Sequence, residues 1–365
     1  MKITAAVARA ANADFTIEPV ELDDPRDDEV LVRVAGVGIC HTDLIARDQH
    51  IPVPLPAVLG HEASGIVERV GARVRKVKAG DRVVLSFLSC GHCERCDQRE
   101  PSYCHSFVAL NFPGVRADGS TGMRIGEQQV SGRFFGQSSF ATHALAHERN
   151  VVKVEDEVAL ELLGPLGCGF QTGAGAIMRS LACEAGSSVA IFGCGAVGIA
   201  AVMGAAIQRC KTIIVVEPQA SRRKLALELG ATHAIDPLNE DTAARIREIV
   251  PAGVRYAFDS TGIKPVIETA LGVLALHGTL GVVAAATPDT SISLNLTAAV
   301  IGGWTIKAIL EGDSDPDELI PELIRHHREQ RFPLDRVIQT FPLARINEAV
   351  AAQHRGDCIK AVLIP

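Results

Sequence analysis

Four cysteines in one short segment constrain the fold of this chain more than any other feature of its sequence. They follow the spacing C-x2-C-x2-C-x7-C and are Cys90, Cys93, Cys96 and Cys104. Four thiolates this close in sequence can surround one zinc ion tetrahedrally and leave it no open position. Two disulfides or an iron–sulfur cluster are the alternatives that use the same residues. The pattern favours a structural zinc site, because this closed ligand set is typical of zinc that supports folding.

A second set of metal-ligand residues is spread over a longer stretch. Cys40 lies in Gly-Ile-Cys-His-Thr-Asp, His61 and Glu62 lie in Gly-His-Glu-Ala-Ser-Gly, and Cys168 lies in Gly-Pro-Leu-Gly-Cys-Gly. Two sulfurs and one imidazole would leave a zinc ion one open position, and open zinc acts as a Lewis acid. Each of these residues alone is more often a packing residue, and only the tertiary structure shows whether they meet.

A glycine-rich turn between two apolar runs indicates a dinucleotide site. The runs are residues 189–192 and 212–216, and the glycines of the G-x-G-x-x-G pattern are Gly193, Gly195 and Gly198. These glycines permit a tight turn, close approach of a pyrophosphate and close helix packing, with the helix N-terminus facing the phosphates. Glu217 follows about 20 residues later, where a carboxylate accepts a hydrogen bond from the ribose 2′-hydroxyl.

With these motifs, the chain resembles the zinc-dependent medium-chain alcohol dehydrogenases over essentially its whole length. Within that family it is most similar to the aryl-alcohol and geraniol dehydrogenases, on residues 161–175 around Cys168, residues 52–56 and residues 135–140. The resemblance implies oxidation of aromatic or allylic primary alcohols to aldehydes by hydride transfer to NAD+, with one catalytic and one structural zinc ion per chain.

Two rival functions use the same motifs. A dehydrogenase for a thiol–formaldehyde adduct belongs to the same family, but its charged substrate would need basic residues in the pocket, and no obvious cluster is present. A binding protein that kept only the fold is the rival from a different class. NADH formation with benzyl alcohol and NAD+ would reject the binding protein.

The resemblance also implies an α/β chain with a divided first domain. Residues 1–169 are expected to form a partly open, GroES-like β-barrel domain with the structural zinc lobe, residues 170–310 a Rossmann domain with a doubly wound parallel sheet, and residues 311–365 a return to the first domain. Alternating polar and apolar residues at 29–35 and 65–70 fit antiparallel strands. Beyond residue 170 we expect strands at 188–192, 212–216, 254–259 and 278–285, and a helix running to about Cys210.

The family's site residues carry over position by position. Cys40, His61 and Cys168 match the ligands of the catalytic zinc. Glu62 matches the acid that can replace water on the metal, Asp43 the carboxylate behind the histidine ligand, and Thr42 the hydroxyl that takes the alcohol proton. Many members carry a histidine three residues after that hydroxyl, but here Ile45 occupies the position. The proton would then leave through the ribose hydroxyl and water, or through another base such as His50.

Cofactor and substrate contacts follow from the same resemblance. His41 and Arg222 match basic residues near the pyrophosphate and the ribose, and Glu217 would repel the 2′-phosphate of NADP, so NAD is expected. The apolar residues that fall where the family lines its substrate channel are Ile51, Phe87, Leu110 and Phe112.

Composition limits the partners. The net charge is -7 and no basic stripe is present, so nucleic acid is not expected as a partner. Residues 189–207 carry no charge, but their glycines divide them into strand, turn and helix, which is typical of a buried sheet rather than a membrane span. The cysteines outside the two metal sets are expected to be small core or loop residues: Cys183, Cys194, Cys210 and Cys358. The expectation is a cytoplasmic homodimer or homotetramer that acts on a small alcohol or aldehyde.

Overall fold

The computed structural model describes residues 1–154, 158–283 and 290–365. Its strands are β1 (Lys2–Ala8), β2 (Thr16–Leu22), β3 (Glu29–Gly38), β4 (Ala57–Val58), β5 (Ala63–Val70), β6 (Arg82–Leu85), β7 (Gly122–Ile125), β8 (Gln128–Ser131), β9 (His143–His147), β10 (Val151–Lys153), β11 (Ser188–Phe192), β12 (Thr212–Val216), β13 (His233–Ile235), β14 (Val254–Asp259), β15 (Leu274–Val282), β16 (Thr305–Ala308), β17 (Ile338–Pro342) and β18 (Lys360–Ile364). Its helices are α1 (His41–Arg47), α2 (Glu94–Asp97), α3 (Phe107–Asn111), α4 (Gly169–Gly175), α5 (Ala196–Ile207), α6 (Ala220–Glu228), α7 (Thr242–Ile249), α8 (Lys264–Gly272), α9 (Leu296–Gly302), α10 (Pro316–Arg328) and α11 (Ile346–Arg355).

The chain forms two compact units. Unit 1 comprises Met1–Gly169, Asp315–Glu329 and Pro333–Pro365, and unit 2 comprises Phe170–Ser314 and Gln330–Phe332. Unit 1 is therefore built from both ends of the chain, with unit 2 inserted between them.

Unit 1 contains a small barrel and an open sheet. Strands β1, β2, β7, β8 and β4 close into the barrel, and the sheet has the order β10-β6-β5-β3-β18-β17, with β9 also paired to β3. Strand β3 is buried along most of its length because it lies in the middle of this sheet. It extends to Gly38, beyond the 29–35 expected, and β5 begins at Ala63 rather than at residue 65. The combination confirms the GroES-like arrangement inferred from the sequence.

Unit 2 contains one parallel sheet of six strands in the order β13-β12-β11-β14-β15-β16. This order is that of a doubly wound Rossmann sheet, so the expected fold class is confirmed. Strands β11, β12 and β14 have the predicted bounds, whereas β15 begins at Leu274 and the predicted positions 284–285 lie outside the described residues. Helix α5 ends at Ile207, before the Cys210 expected.

The uncharged stretch at residues 189–207 forms the buried strand β11, the glycine turn and helix α5. Strand β11 and most of α5 are buried, as expected for parallel strands covered on both faces. Over the residues described, no helix combines the length and apolarity that crossing a membrane requires.

Candidate active site

The scattered ligand candidates meet in unit 1. Cys40 directly precedes α1, His61 and Glu62 directly precede β5, and Cys168 directly precedes α4. One donor atom from each of these four residues lies within 4.8 Å of the other three. The structure thus brings together the three candidate ligands and the acid, which lie far apart in the sequence.

Asp43 fixes the orientation of His61. Its Oδ1 lies 2.8 Å from His61 Nδ1 and accepts from the Gly60 N–H at 3.0 Å, while its Oδ2 accepts from the Cys40 N–H at 2.9 Å. A carboxylate only accepts hydrogen bonds, so His61 Nδ1 carries the proton and Nε2 is left as the ligating nitrogen. Both side chains are fully buried.

Phenylalanine rings enclose the His61 imidazole. Phe135 stacks on it with centroids 4.3 Å apart and an interplanar angle of 22°, and Phe134 meets it edge-on at 5.6 Å. Phe135 has a left-handed backbone, with φ 50° and ψ 33°, which is a costly conformation for an aromatic residue. The Asn150 side chain holds it by donating to the Phe135 carbonyl at 3.0 Å. The ring therefore shields one face of the histidine.

The donor set fits a zinc ion. Two sulfurs and one imidazole are the ligands of open zinc sites, and His61 Nε2 is buried without a hydrogen-bond partner among the described residues. Hydrogen bonding with Cys168 holds the pKa of the Cys40 thiol well below its usual range, although burial opposes this. Burial disfavours the imidazolium, yet Asp43 and Cys40 keep the pKa of His61 well above its usual range. A thiolate is the form of cysteine that binds zinc, so the lowered pKa of Cys40 suits the role of a metal ligand.

Lys360 is a site residue that the sequence patterns did not predict. Its buried ammonium pairs with the Glu62 carboxylate and donates to the Ile39 carbonyl at 2.9 Å. The other Glu62 oxygen accepts from the Gly169 N–H at 3.0 Å. Burial raises the pKa of Glu62 against the opposing charge of Lys360. The available signal was a single lysine at the start of the otherwise apolar strand β18, because a charge in a buried strand needs a buried partner.

The four clustered cysteines also surround a common point. The distances between sulfurs are 4.0 Å for Cys90–Cys96, 3.6 Å for Cys93–Cys96 and 4.0 Å for Cys93–Cys104. All four are free thiols, which excludes the disulfide alternative for this structure. Tetrahedral zinc with bonds of about 2.3 Å requires sulfurs about 3.8 Å apart.

Backbone amides support this cluster. The Cys90 N–H donates to Cys104 Sγ at 3.2 Å, and the Gly91 N–H donates to Cys96 Sγ at 3.3 Å. Such bonds favour thiolates, and backbone hydrogen bonds to Cys93 lower the pKa of its thiol to about 6. The cluster therefore fits a closed zinc site.

The glycine turn of unit 2 has the shape of a phosphate cradle. Gly193 has a φ of +86°, and a side chain at Gly198 would collide with the Gly193 carbonyl. A Cβ at Gly195 would meet nothing within 4 Å, so open space lies in front of the turn. Gly195 is also the N-cap of α5, whose amide groups face that space.

The Glu217 side chain is hydrogen-bonded to the backbone of this turn. Its buried carboxylate accepts from the Cys194 N–H at 2.7 Å and from the Gln219 N–H at 2.9 Å. Arg222 has a buried Nε that makes no hydrogen bond within the described part of the chain. Its neighbour Arg223, which the sequence predicts to lie on a solvated helix face, donates to the Glu217 carbonyl at 2.7 Å.

The remaining candidates lie on or near α1 and α3. Thr42 Oγ1 is 3.5 Å from Cys40 Sγ, so the proposed relay hydroxyl adjoins the metal ligands. His41 and His50 are exposed, and Ile45 is partly buried. Of the pocket candidates, Phe87 is buried, whereas Ile51, Leu110 and Phe112 are partly buried against the core of unit 1.

Two of these pocket candidates join an aromatic chain that ends at His61. Phe112 contacts Phe135 with centroids 5.5 Å apart, and Phe87 contacts Phe107 at 5.6 Å. Phe107 contacts Phe112 at 6.1 Å and thus links both candidates. We call Phe87, Phe107, Phe112 and Phe135 the aromatic wall.

Comparison with known proteins places this site in a family. The alcohol dehydrogenase GroES-like domain matches residues 26–156, and the zinc-binding dehydrogenase model matches residues 196–326. A geraniol dehydrogenase from Castellaniella defragrans is 49% identical over 362 residues, which are 99% of this chain and 97% of that protein.

Solved structures agree with this assignment. The benzyl alcohol dehydrogenase from Acinetobacter calcoaceticus is 41% identical with a TM-score of 0.96, covering 100% of this chain and 99% of that one. An alcohol dehydrogenase zinc-binding domain protein from Burkholderia ambifaria is 51% identical with a TM-score of 0.98 over 100% and 99% of the two chains. The chain is an enzyme that belongs to the zinc-dependent medium-chain alcohol dehydrogenase family.

Proposed function

We propose that this enzyme oxidises aromatic or allylic primary alcohols, such as benzyl alcohol and geraniol, to aldehydes by hydride transfer to NAD+. The observation that carries the proposal is the aromatic wall, whose Phe135 ring stacks on His61. Flat unsaturated groups pack well against aromatic rings. The relatives named for geraniol and benzyl alcohol support the same substrate class.

The metal ligands have distinct supporting residues in this proposal. Cys40, His61 and Cys168 would hold a zinc ion, which when bound supplies a Lewis acid for the alcohol oxygen. Asp43 keeps the histidine in the tautomer that presents Nε2 to the ligand set. The ion pair with Lys360 holds the Glu62 carboxylate beside these three residues.

Thr42 would accept the proton of the alcohol. Its hydroxyl adjoins Cys40, and Ile45 on the same helix offers no base to continue the relay. The proton then reaches solvent through water. His50, an exposed residue just after α1, is the alternative base that we propose for this route.

We assign a second, structural zinc ion to Cys90, Cys93, Cys96 and Cys104. The sulfur spacings and the N–H bonds to sulfur support this assignment. Because the candidate catalytic ligands lie in unit 1 and the glycine turn lies in unit 2, unit 1 is the catalytic domain and unit 2 the cofactor domain in this proposal.

NAD is the proposed cofactor, with NADP disfavoured. Glu217 places a buried carboxylate at the end of β12, where like charge repels a 2′-phosphate. Glu217→Ala is expected to weaken NAD+ binding and to reduce the penalty on NADP+. A wild-type kcat/KM higher with NADP+ than with NAD+ would overturn this assignment.

A homo-oligomer is proposed through one edge of unit 2. Strand β16 ends the sheet among the described residues, and α9, which packs on the neighbouring strand β15, exposes Leu296, Val300 and Ile301, each more than two thirds exposed. An apolar edge of this kind pairs readily with a second copy of the same chain. Light scattering should give a dimer or tetramer, and Val300→Lys should shift it towards the monomer.

A substrate screen tests the proposed reaction. NADH formation is measured with benzyl alcohol, geraniol, cinnamyl alcohol, ethanol and a thiol–formaldehyde adduct. The proposal expects the first three to be the best substrates. Preference for the adduct would establish the alternative within the family, and no turnover of any alcohol would reject the proposal.

A further inference from the structure

Two consecutive arginines at the start of α6 have different surroundings. Arg223 Nη1 donates to the carbonyls of Glu217 at 2.7 Å and Pro218 at 2.8 Å, and its Nη2 pairs with Asp236 at 2.9 Å. Arg222 Nε is buried and has no hydrogen-bond partner in the described ranges. One guanidinium is therefore held in place by three acceptors, next to the residue that is expected to meet the cofactor ribose.

Asp236 is itself anchored at the end of β13. Its Oδ1 accepts from the Leu238 N–H at 3.1 Å, and its Oδ2 accepts from Asn239 Nδ2 at 3.1 Å. Strand β13 pairs with β12, with Ile235 opposite Val216. The Asp236 carboxylate therefore stands beside the end of β12, and the ion pair holds Arg223 along the strand ends, with both side chains less than one fifth exposed.

An arginine at this place would ordinarily favour a phosphorylated ribose. Guanidinium groups bind phosphate through two parallel hydrogen bonds. Because Arg223 is bonded to the carbonyl of Glu217, its guanidinium lies close to where a 2′-phosphate would be. A preference for NAD+ thus requires both the charge of Glu217 and an occupied Arg223.

We propose that Asp236 is a positioning residue for cofactor choice: by pairing with Arg223 it withholds a phosphate-binding guanidinium from the ribose 2′ position. The inference rests on the proposed use of NAD and extends it. Glu217 repels the phosphate directly, and Asp236 acts through Arg223.

Nucleotide binding to the full-length protein tests this without any alcohol. Calorimetry gives the Kd of 5′-AMP and of adenosine 2′,5′-bisphosphate. Asp236→Asn keeps an oxygen for the Leu238 N–H but removes the charge that holds Arg223. The affinity for the bisphosphate relative to AMP should rise about tenfold, as expected for one new charge-assisted contact. Asp241→Asn removes the same charge from the N-cap of α7 and should leave the ratio unchanged.

Variants of Arg223 make the test specific. Arg223→Leu in the Asp236→Asn background should return the ratio to the wild-type value, and Asp236→Glu should retain that value. Arg223→Leu alone should change the ratio less than twofold, because the guanidinium is already withheld. This last measurement stands even where Asp236→Asn does not fold.

Three results would overturn the inference. These are an unchanged ratio in Asp236→Asn with intact AMP binding, a gain that survives the loss of Arg223, or a marked fall in bisphosphate affinity in Arg223→Leu alone. The failure of the proposed function looks different: the wild-type protein would bind neither nucleotide, or would bind AMP and turn over no alcohol.

Discussion

The ammonium of Lys360 is buried on the carboxylate of Glu62, directly beside the ligand set of the candidate zinc site. Lys360 also donates to the Ile39 carbonyl, and Glu62 accepts from the Gly169 N–H. Ile39 precedes Cys40 and Gly169 follows Cys168, so this one ion pair ties together the two segments that carry the cysteine ligands.

Removing one partner of this pair should destabilise the protein strongly. Lys360→Met leaves Glu62 as an unpaired buried acid, which costs about 3–5 kcal/mol of unfolding free energy. Lys360→Met combined with Glu62→Gln should recover at least half of that loss. Lys153→Met, which removes an ion pair with Asp81 at the protein surface whose lysine is 37% exposed, should cost about 1 kcal/mol or less. Urea denaturation measures all four proteins, and a loss in Lys360→Met no larger than in the control would contradict the buried-pair argument.

The purified protein should contain two zinc ions per chain. Cys168→Ala should lose one zinc ion and nearly all turnover while remaining folded. Cys96→Ala should lose the other and unfold at lower temperature, because structural zinc contributes folding free energy. Elemental analysis with thermal denaturation checks both, and Cys358→Ala, at a buried cysteine outside both sets, should keep two zinc ions. One zinc ion in the intact protein would reject the assignment.

Glu29 should make stability depend on pH in the acid range. Burial opposes its ionisation, but Arg116 contacts both of its oxygens, at 2.7 and 3.0 Å, and together with Arg133 keeps the pKa of Glu29 below its usual range. A lowered pKa means that the stabilisation is complete above the unfolded value of about 4.3 and is lost as the pH falls through the folded value.

The difference in unfolding free energy between wild type and Glu29→Gln is therefore expected to be constant from pH 7 to about 5 and to shrink below about 4.3. Glu127→Gln, at an exposed turn residue, serves as the control. A difference that grows on acidification would have the wrong sign.

The aromatic wall should set substrate preference. Burial of a phenyl or isoprenyl group contributes about 25 cal/mol per Å2 of apolar area, which amounts to a few kcal/mol. We therefore expect kcat/KM for benzyl alcohol or geraniol to exceed that for ethanol about a hundredfold or more. Phe112→Ala should reduce this ratio about tenfold, whereas Val108→Ala, at a residue of α3 that is 65% exposed, should not. Equal kcat/KM for ethanol and benzyl alcohol would reject the assignment.

Thr42 and Ile45 test the proton route. Thr42→Val removes the hydroxyl next to Cys40 and should lower alcohol oxidation severely, while Thr42→Ser should retain much of it. Ile45→His in the wild-type background should speed proton release at low pH, since it adds a base on α1. Steady-state pH profiles with a solvent isotope effect measure both. Unchanged oxidation in Thr42→Val would move the relay to another group.

Local sequence patterns were sufficient to predict the central strands of unit 2, the glycine turn and the cysteine cluster. The bounds of β11, β12 and β14 follow from short apolar runs that end in glycine or acid residues, because parallel strands buried on both faces require such runs. The G-x-G-x-x-G turn and the closely spaced cysteines are equally local, and a family resemblance matched the distant residues Cys40, His61 and Cys168 to one ligand set.

The tertiary structure alone decided which side chains are partners. Lys360 reaches Glu62 because β18 pairs with β3, and Asp236 reaches Arg223 because β13 pairs with β12. The sequence singled out Arg222, but its neighbour is the one bound by an acid. By itself the sequence determined the fold, the two cysteine-containing metal sets and the nucleotide turn, since each is encoded by residue types at fixed short spacings or by a family pattern. Long-range strand pairing brings charged residues into contact and so decides which buried charges have a partner of opposite sign. Residues that meet in this way are far apart in the sequence, so no short spacing could predict the contact.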